Sequence, residues 1–190
     1  MYQVTLRPFD YGKDLQPLYR YMTDMEHQKL FSHKFQIHNL PMFQEWLNEK
    51  FHRLYHDFFM IENGKGETVG FTYSYEFMAN DRHCKFALCL WDEYKKTGYG
   101  AAAACKMMDH LFGNYSLNQV FTTVFDYNPL SLSTNLSAGF EEVGCLPNYR
   151  YLKGKYYSLH YLSMERQRFY ERFSKLLSRL DRASVTAKTA

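Results

Sequence analysis

The segment Lys95-Lys96-Thr97-Gly98-Tyr99-Gly100 joins an apolar run, Phe86 to Trp91, to an alanine-rich stretch opening at Ala101. These residue types in this order describe an anion cradle. The run before them reads as a buried strand, and Ala101 to Phe112 as a helix whose small first residues allow close packing. Gly98 and Gly100 let the backbone turn sharply and bring N–H groups to a ligand with no Cβ in the way. The first N–H groups of a helix have no internal acceptor and lie at the positive end of its dipole, so phosphate oxygens fit there. Lys95 and Lys96 add positive charge to the same turn.

Other residues offer proton chemistry. Glu76 ends the strand that precedes the Phe86 run and stands among aromatic residues, surroundings that raise a carboxyl pKa, so it is the first candidate for a general base. His33, His38, His83 and His160 are held in reserve. The four cysteines, Cys84, Cys89, Cys105 and Cys145, show no close pair of the metal-binding type, so they read as small hydrophobes and no metal is expected.

The elements that must position these groups follow from periodicity and punctuation. Tyr2 to Arg7 alternates and stops at Pro8, a first strand. Leu15, Leu18, Tyr19 and Met22 predict a short helix from Asp14, with Pro17 in its first turn. Phe31 to Asn39 reads as a loop, and Pro41 opens a second helix with Phe43, Trp46, Leu47, Phe51 and Leu54 on one face. Phe58 to Glu62, Glu67 to Phe77 and Cys84 to Trp91 are three antiparallel strands joined by the turns Asn63-Gly-Lys-Gly66 and Ala79-Asn-Asp-Arg82. Beyond the cradle and its helix, Gln119 to Asp126 is a strand parallel to the last. A helix from Leu130 to Ala138 and strands at Phe140 to Gly144 and Tyr156 to Met164 complete the order.

The expected fold is therefore α/β, with a mixed, mostly antiparallel central sheet of about seven strands flanked by helices. The domain spans residues 1–164; 165–182 add a C-terminal amphipathic helix, and 183–190 form a disordered tail. The helix stripe from Phe169 to Leu180 is expected to dock on the core or on a second subunit, which makes a homodimer possible. A net charge of +3 with dispersed basic residues speaks against nucleic acid. No apolar run reaches the roughly 20 residues of a membrane span. With four unpaired cysteines and no secretory leader pattern, a cytoplasmic protein is expected.

Three readings of the cradle compete: a plain connecting turn; a dinucleotide site, since Gly98-Tyr-Gly-Ala-Ala-Ala103 fits G-x-G-x-x-A and Asp126 ends the next strand; and an acyl-coenzyme A turn. The dinucleotide reading, which would make the chain an NAD-binding oxidoreductase, is poorly placed, because three strands and two helices come before it. Lys95-Lys-Thr-Gly-Tyr-Gly100 resembles the Q/R-x-x-G-x-G/A signature of the GNAT superfamily of acetyl-coenzyme A-dependent N-acetyltransferases, with Lys95 where Gln or Arg is usual. Asn128-Pro-Leu-Ser131 followed by Gly139-Phe140 resembles the N-x-x-S … G-F segment of the RimJ/RimL-type branch, and Lys153-Gly-Lys-Tyr-Tyr157 its G-K/R-Y-x-D turn.

The resemblance implies the acyl-CoA N-acyltransferase fold, acetyl-CoA as co-substrate, and a small-molecule or peptide amine as acceptor. It implies that the N–H groups of Lys96, Thr97, Gly98, Tyr99, Gly100 and Ala101 hold the coenzyme pyrophosphate. It likewise implies that pantetheine lies along Leu88, Leu90 and Trp91 and is reached by Asn128, that Ser131 serves the coenzyme sulfur, and that Phe31, His33 and His38 border the acceptor. Two positions depart from the pattern: Asn135 stands where a general-acid Tyr is usual, and Ser158 where the Asp of the turn is usual. The alternative they motivate is a coenzyme A-binding module with weak turnover or none.

Overall fold

A computed structural model describes residues 3–31, 36–51 and 56–186, with side chains to residue 180. Seven strands form one sheet in the order β1-β2-β3-β4-β5-β7-β6, with β1 at Val4–Arg7, β2 at Phe58–Asn63, β3 at Thr68–Met78, β4 at His83–Leu90, β5 at Gln119–Phe125, β6 at Glu141–Leu152 and β7 at Lys155–Glu165. Only β4 and β5 run parallel; every other pair is antiparallel. The helices are α1 at Tyr11–Thr23, α2 at Met25–Gln28, α3 at Leu40–Phe51, α4 at Tyr99–Asn114, α5 at Pro129–Ala138 and α6 at Arg166–Thr186.

Two cores flank the sheet. On one face Leu18, Met22, Phe43, Trp46 and Leu47 of α1 and α3 pack on Met60, Phe71 and Tyr73. On the other, Met107, Leu111 and Phe112 of α4 pack with Val120, Leu162 and Phe169. The α6 stripe is spent inside the molecule: Phe169, Leu177 and Leu180 are buried in the α4 core, so the helix docks on its own domain.

Several details correct the sequence expectation. Asp10 caps α1, its carboxylate accepting from the Gly12 and Lys13 N–H groups, and starts the helix three residues early. Pro17 therefore lies inside the helix rather than in its first turn. α2 is an additional element, begun by Asp24 in the same way. β6 runs to Leu152 instead of ending at Gly144, because two bulges, at Glu142/Gly144 and Leu146/Arg150, absorb the residues that disturb its alternation. Its hairpin with β7 closes through Lys153 and Gly154, both at positive φ. α6 continues to Thr186, past the predicted end at Arg182; Leu54 and the last four residues of the chain fall outside the described residues.

One buried ion pair ties the first strand to the first helix. The Arg7 guanidinium donates to both oxygens of Asp14 at 2.7 and 2.8 Å, and also to Glu62 and Thr68. Burial of Asp14 disfavours its charge, yet these bonds and the Asp10 N–H hold its carboxyl below the usual range. A depressed folded pKa contributes stability above the unfolded value of 3.8, and that stability is lost as acid titrates the folded carboxylate. Replacing Asp14 by Ala leaves Arg7 without its main partner, so urea unfolding should show a loss of about 3–5 kcal/mol at neutral pH that narrows below pH 4.

Candidate functional site

The site begins where two strands part. β4 and β5 pair over three residues, His83 to Lys85 with Gln119 to Phe121, and the ladder then ends. From Phe86 to Leu90, β4 remains paired with β3 on one edge, while β5 turns its length to β7. The other edge of β4 thus lies open along a cleft, its N–H and C=O groups free to pair with an extended ligand.

At the far end of that edge stands the cradle. A 3-10 turn at Asp92–Tyr94 leads into it, with the Thr97 hydroxyl donating to the Tyr94 carbonyl at 2.5 Å. Lys96 has φ 61°, and Gly98, the N-cap of α4, has φ 92° in the left-handed region. Gly98 brings no side chain to cap the helix, and Ala102 makes the first intrahelical bond, to the Gly98 carbonyl. The N–H groups of the first turn consequently face outward at the dipole's positive end. Lys95 is paired with Asp92, whereas the exposed Lys96 makes no ion pair among the described residues. A Cβ on Gly100 would meet only Leu90 Cδ1 at 3.4 Å and Leu88 Cδ2 at 3.9 Å, so alanine fits there. The same contacts place the Leu88 and Leu90 side chains beneath α4, leaving their backbone to line the cleft. Trp91 packs instead against Tyr21 and Phe71.

Across the cleft, α5 follows β5. Asn128 caps it, its Oδ1 accepting from the Ser131 N–H at 3.3 Å, so the capping role falls to Asn128 and not to the Ser131 hydroxyl. Asn135 donates to the Ser131 carbonyl at 2.8 Å and lies 3.4 Å from its Oγ. An amide donor on Oγ leaves the hydroxyl hydrogen of Ser131 to point elsewhere.

The floor of the cleft holds a cluster that the sequence does not single out as a group. Tyr75 reaches across to hydrogen-bond Thr123, and burial pushes its phenol pKa up. Lys85, the last β4 residue paired with β5, lies over the Tyr161 ring at 4.9 Å. Glu76 sits at φ 46° on the bulge between Tyr75 and Met78 and forms an ion pair with Lys85 at 2.5 Å. Burial works against the charge on Lys85, but Glu76 outweighs it and raises the pKa. Glu76 is thus a half-exposed carboxylate bound to an ammonium rather than one enclosed by aromatic rings, and the signal that would have shown this, a bulge that turns its side chain, has no sequence marker.

α2 borders both ends of the cleft. Its His27 stacks on Tyr21 with ring centroids 3.8 Å apart and places Nε2 3.1 Å from Asp92, on the cradle side. Beyond it, the Lys29 carbonyl accepts from Arg150 at 2.8 Å and from the Tyr127 hydroxyl, on the α5 side. Gln28, buried, bonds the Ile37 N–H and carbonyl at 2.7 and 2.8 Å and so ties the end of α2 to Ile37. A cavity of about 320 Å³ opens here, lined by Glu26, Lys29, Phe31, Arg150 and Lys153 among others. Phe31, expected at the acceptor, lines it while packing on Phe71. His38 is exposed, and His33 lies outside the described residues. His83 packs edge-on to Phe121, and His160 is on β7 paired with Glu142.

A mixed sheet that parts beside an open helix N-terminus defines the acyl-CoA N-acyltransferase fold. Residues 3–141 match the family model described as Acetyltransferase (GNAT) domain, and the chain belongs to that family. It is accordingly an acetyl-CoA-dependent N-acetyltransferase, with the uncapped turn and the free β4 edge suited to that co-substrate. No curated protein sequence matches it. Among solved structures it is similar to spermidine N-acetyltransferase from Vibrio cholerae in complex with CoA and spermine, at TM-score 0.78 and 19% identity, over 88% of this chain and 98% of that one. A dodecameric structure of the same enzyme in an intermediate state gives TM-score 0.74 and 19% identity, over 88% and 96%. At such identity the likeness is one of fold. Among the described residues no helix is long and apolar enough to cross a membrane.

The two glycines separate strain from space. Gly98→Val forces a β-branched residue to φ 92°, at a cost of order 1–3 kcal/mol in the turn. Calorimetry with coenzyme A should show at least tenfold weaker binding for Gly98→Val and less than threefold change for Gly100→Ala. Equal losses would show that the turn's conformation is not what matters.

Proposed function

We propose that this chain acetylates the primary amine of a neutral or acidic acceptor, with a protein N-terminus as first choice. The observation that carries this is the charge of the cavity beside α2. Lys29, Arg150 and Lys153 set three cations against the single carboxylate of Glu26, and two of those cations pair with it. A polyamine, such as the spermine of the structural neighbour, needs the opposite balance. The Asn128-Pro-Leu-Ser131 and Gly139-Phe140 segment, in the pattern of the RimJ/RimL-type branch, supports the same acceptor class.

In this reading the N–H groups of Lys96 to Ala101, with the Lys95 and Lys96 ammonium groups beside them, hold the pyrophosphate. The pantetheine amides pair with the open β4 edge past Leu88, Leu90 and Trp91, within reach of Asn128. The acetyl group then lies toward the floor of the cleft. The amine nitrogen attacks the thioester carbonyl, a C–N bond forms, and the C–S bond breaks. Ser131 donates its hydroxyl hydrogen bond to the departing thiolate, oriented by Asn135. A thiolate is a good leaving group, so this arrangement needs no phenol at residue 135. Glu76 takes the ammonium proton, its pair with Lys85 marking the cleft floor. Phe31 and His38 border the acceptor, with His33 between them in sequence. A homodimer stays part of the proposal. Because α6 is committed to the core, its contact face would be the exposed Val143, Leu146, Tyr149 and Tyr151 of β6; a monomer in sedimentation at micromolar concentration would exclude it.

Thiol release should be measured over peptides with free N-termini, amino acids and polyamines. Turnover of neutral or acidic peptides at least tenfold above spermidine supports the acceptor class, and spermidine as the best substrate sinks it. Tight coenzyme binding without turnover on any amine would favour the non-catalytic module. On the best acceptor, Ser131→Ala should lower kcat by about 10–100-fold with coenzyme affinity unchanged. Glu76→Gln should lower kcat by about 100-fold or more with coenzyme affinity unchanged. An unchanged kcat would discharge Glu76 from the role of base.

A further inference from the structure

The edge hairpin carries a constellation that acetyl transfer does not use. Glu142 and Cys145 of β6 and His160 of β7 each offer one ligating atom, and these atoms all lie within 4.8 Å of one another. Cys145 stands directly opposite His160 in the ladder, and Glu142 opposite Leu162, two residues further along the same face of β7. On a regular strand, residues three apart point to opposite faces. The register shift between Glu142 and Gly144 inserts one extra residue, and this alone brings Glu142 and Cys145 to the same side. A bulge that only terminated or twisted the edge would not have to align these two residues with the one histidine of the facing strand.

The geometry points to a site for a thiophilic divalent cation, zinc(II) by ligand set. Thiolate, imidazole and carboxylate are the three ligand types zinc takes, and they supply three of four tetrahedral positions, leaving one for water. His160 Nδ1 already lies 3.0 Å from Glu142 Oε1, a space now bridged by one proton. At tetrahedral angles, bonds of about 2.0–2.3 Å put ligand atoms roughly 3.3–3.6 Å apart, so rotation of exposed side chains closes the set. On binding, the Cys145 thiol loses its proton to solvent, while the neutral His160 imidazole ligates through Nδ1 and carries its single proton on Nε2. His160 is 17% exposed and Glu142 40%, so the ion reaches the site from solvent without opening the core. The ion would clamp β6 to β7 near the first bulge, where the ladder is interrupted. This site is independent of the cleft and of the acceptor proposed above.

The test uses cobalt(II) as a spectroscopic stand-in for zinc, added to the full chain in the presence of a phosphine reductant. The expected result is a near-ultraviolet thiolate-to-cobalt charge-transfer band with visible bands of tetrahedral intensity, saturating at one equivalent and abolished by zinc(II). Cys145→Ser should remove the charge-transfer band, and His160→Gln and Glu142→Gln should each weaken cobalt binding at least tenfold. Circular dichroism of the three metal-free variants should match the parent, since Glu142 and Cys145 are exposed on the edge strand and His160→Gln keeps a polar side chain of similar size on β7. The proposal is overturned if the parent shows no charge-transfer band, if the band survives Cys145→Ser, or if it is lost with Cys145→Ser but untouched by the other two, which would mark a simple thiol adduct.

Discussion

The parallel ladder between β4 and β5 lasts for three residues, and the functional architecture depends on its ending there. β4 belongs to the antiparallel half of the sheet, held by β3 through Gly70 opposite Leu90, where the backbones approach so closely that a Cβ on Gly70 would lie 2.1 Å from the Cys89 carbonyl oxygen. β5 belongs to the other half, paired along its whole length with β7. Each strand is better satisfied by its outer neighbour than by the other. The backbone groups left over between them are the ones a coenzyme with amide groups along its arm can satisfy. Tyr75 and Lys85 of one half reach Thr123 and Tyr161 of the other at the base of the gap.

Much of this was legible in the sequence, and the reasons differ by element. The glycine turn and the uncapped start of α4 were legible because glycine freedom and helix polarity are local properties. α4, β5 and β7 were legible because their burial is periodic. α2 was not, since four residues are too few to show a period; its only marker is Asp24, which also reads as the end of α1. The true length of β6 was hidden by its exposure and by two bulges that break alternation. Pro17 misled in the opposite direction: proline rules place it in a first turn, but the Asp10 cap and the buried Asp14 determine where α1 starts.

At the candidate site, residue types were legible and partnerships were not. Ser131 and Asn135 are four apart on a helix, a spacing that predicts contact, yet the lack of a tyrosine at 135 reads at first as a loss. In the fold the amide donates to the Ser131 carbonyl and lies within reach of its hydroxyl, a partnership that the residue type alone does not announce. Glu76 was singled out for its aromatic neighbours, while the residue it pairs with, Lys85, lies nine positions away on the next strand and meets it only through a bulge. Cys145 shows the same blindness: grouped with buried thiols by composition, it is exposed, and its neighbours in space are a strand away.

The short α2 carries a consequence of its own. A single helical turn has no stability in isolation, so its order is borrowed from bonds at its two ends: His27 to Asp92, and Lys29 to Tyr127 and Arg150. It is a strut whose two footings stand on opposite halves of the parted sheet. Whatever spreads or narrows the cleft must alter the strut, and whatever orders the strut fixes the spacing of the cleft. This single turn thereby gauges the distance between the uncapped start of α4 and the entrance of α5.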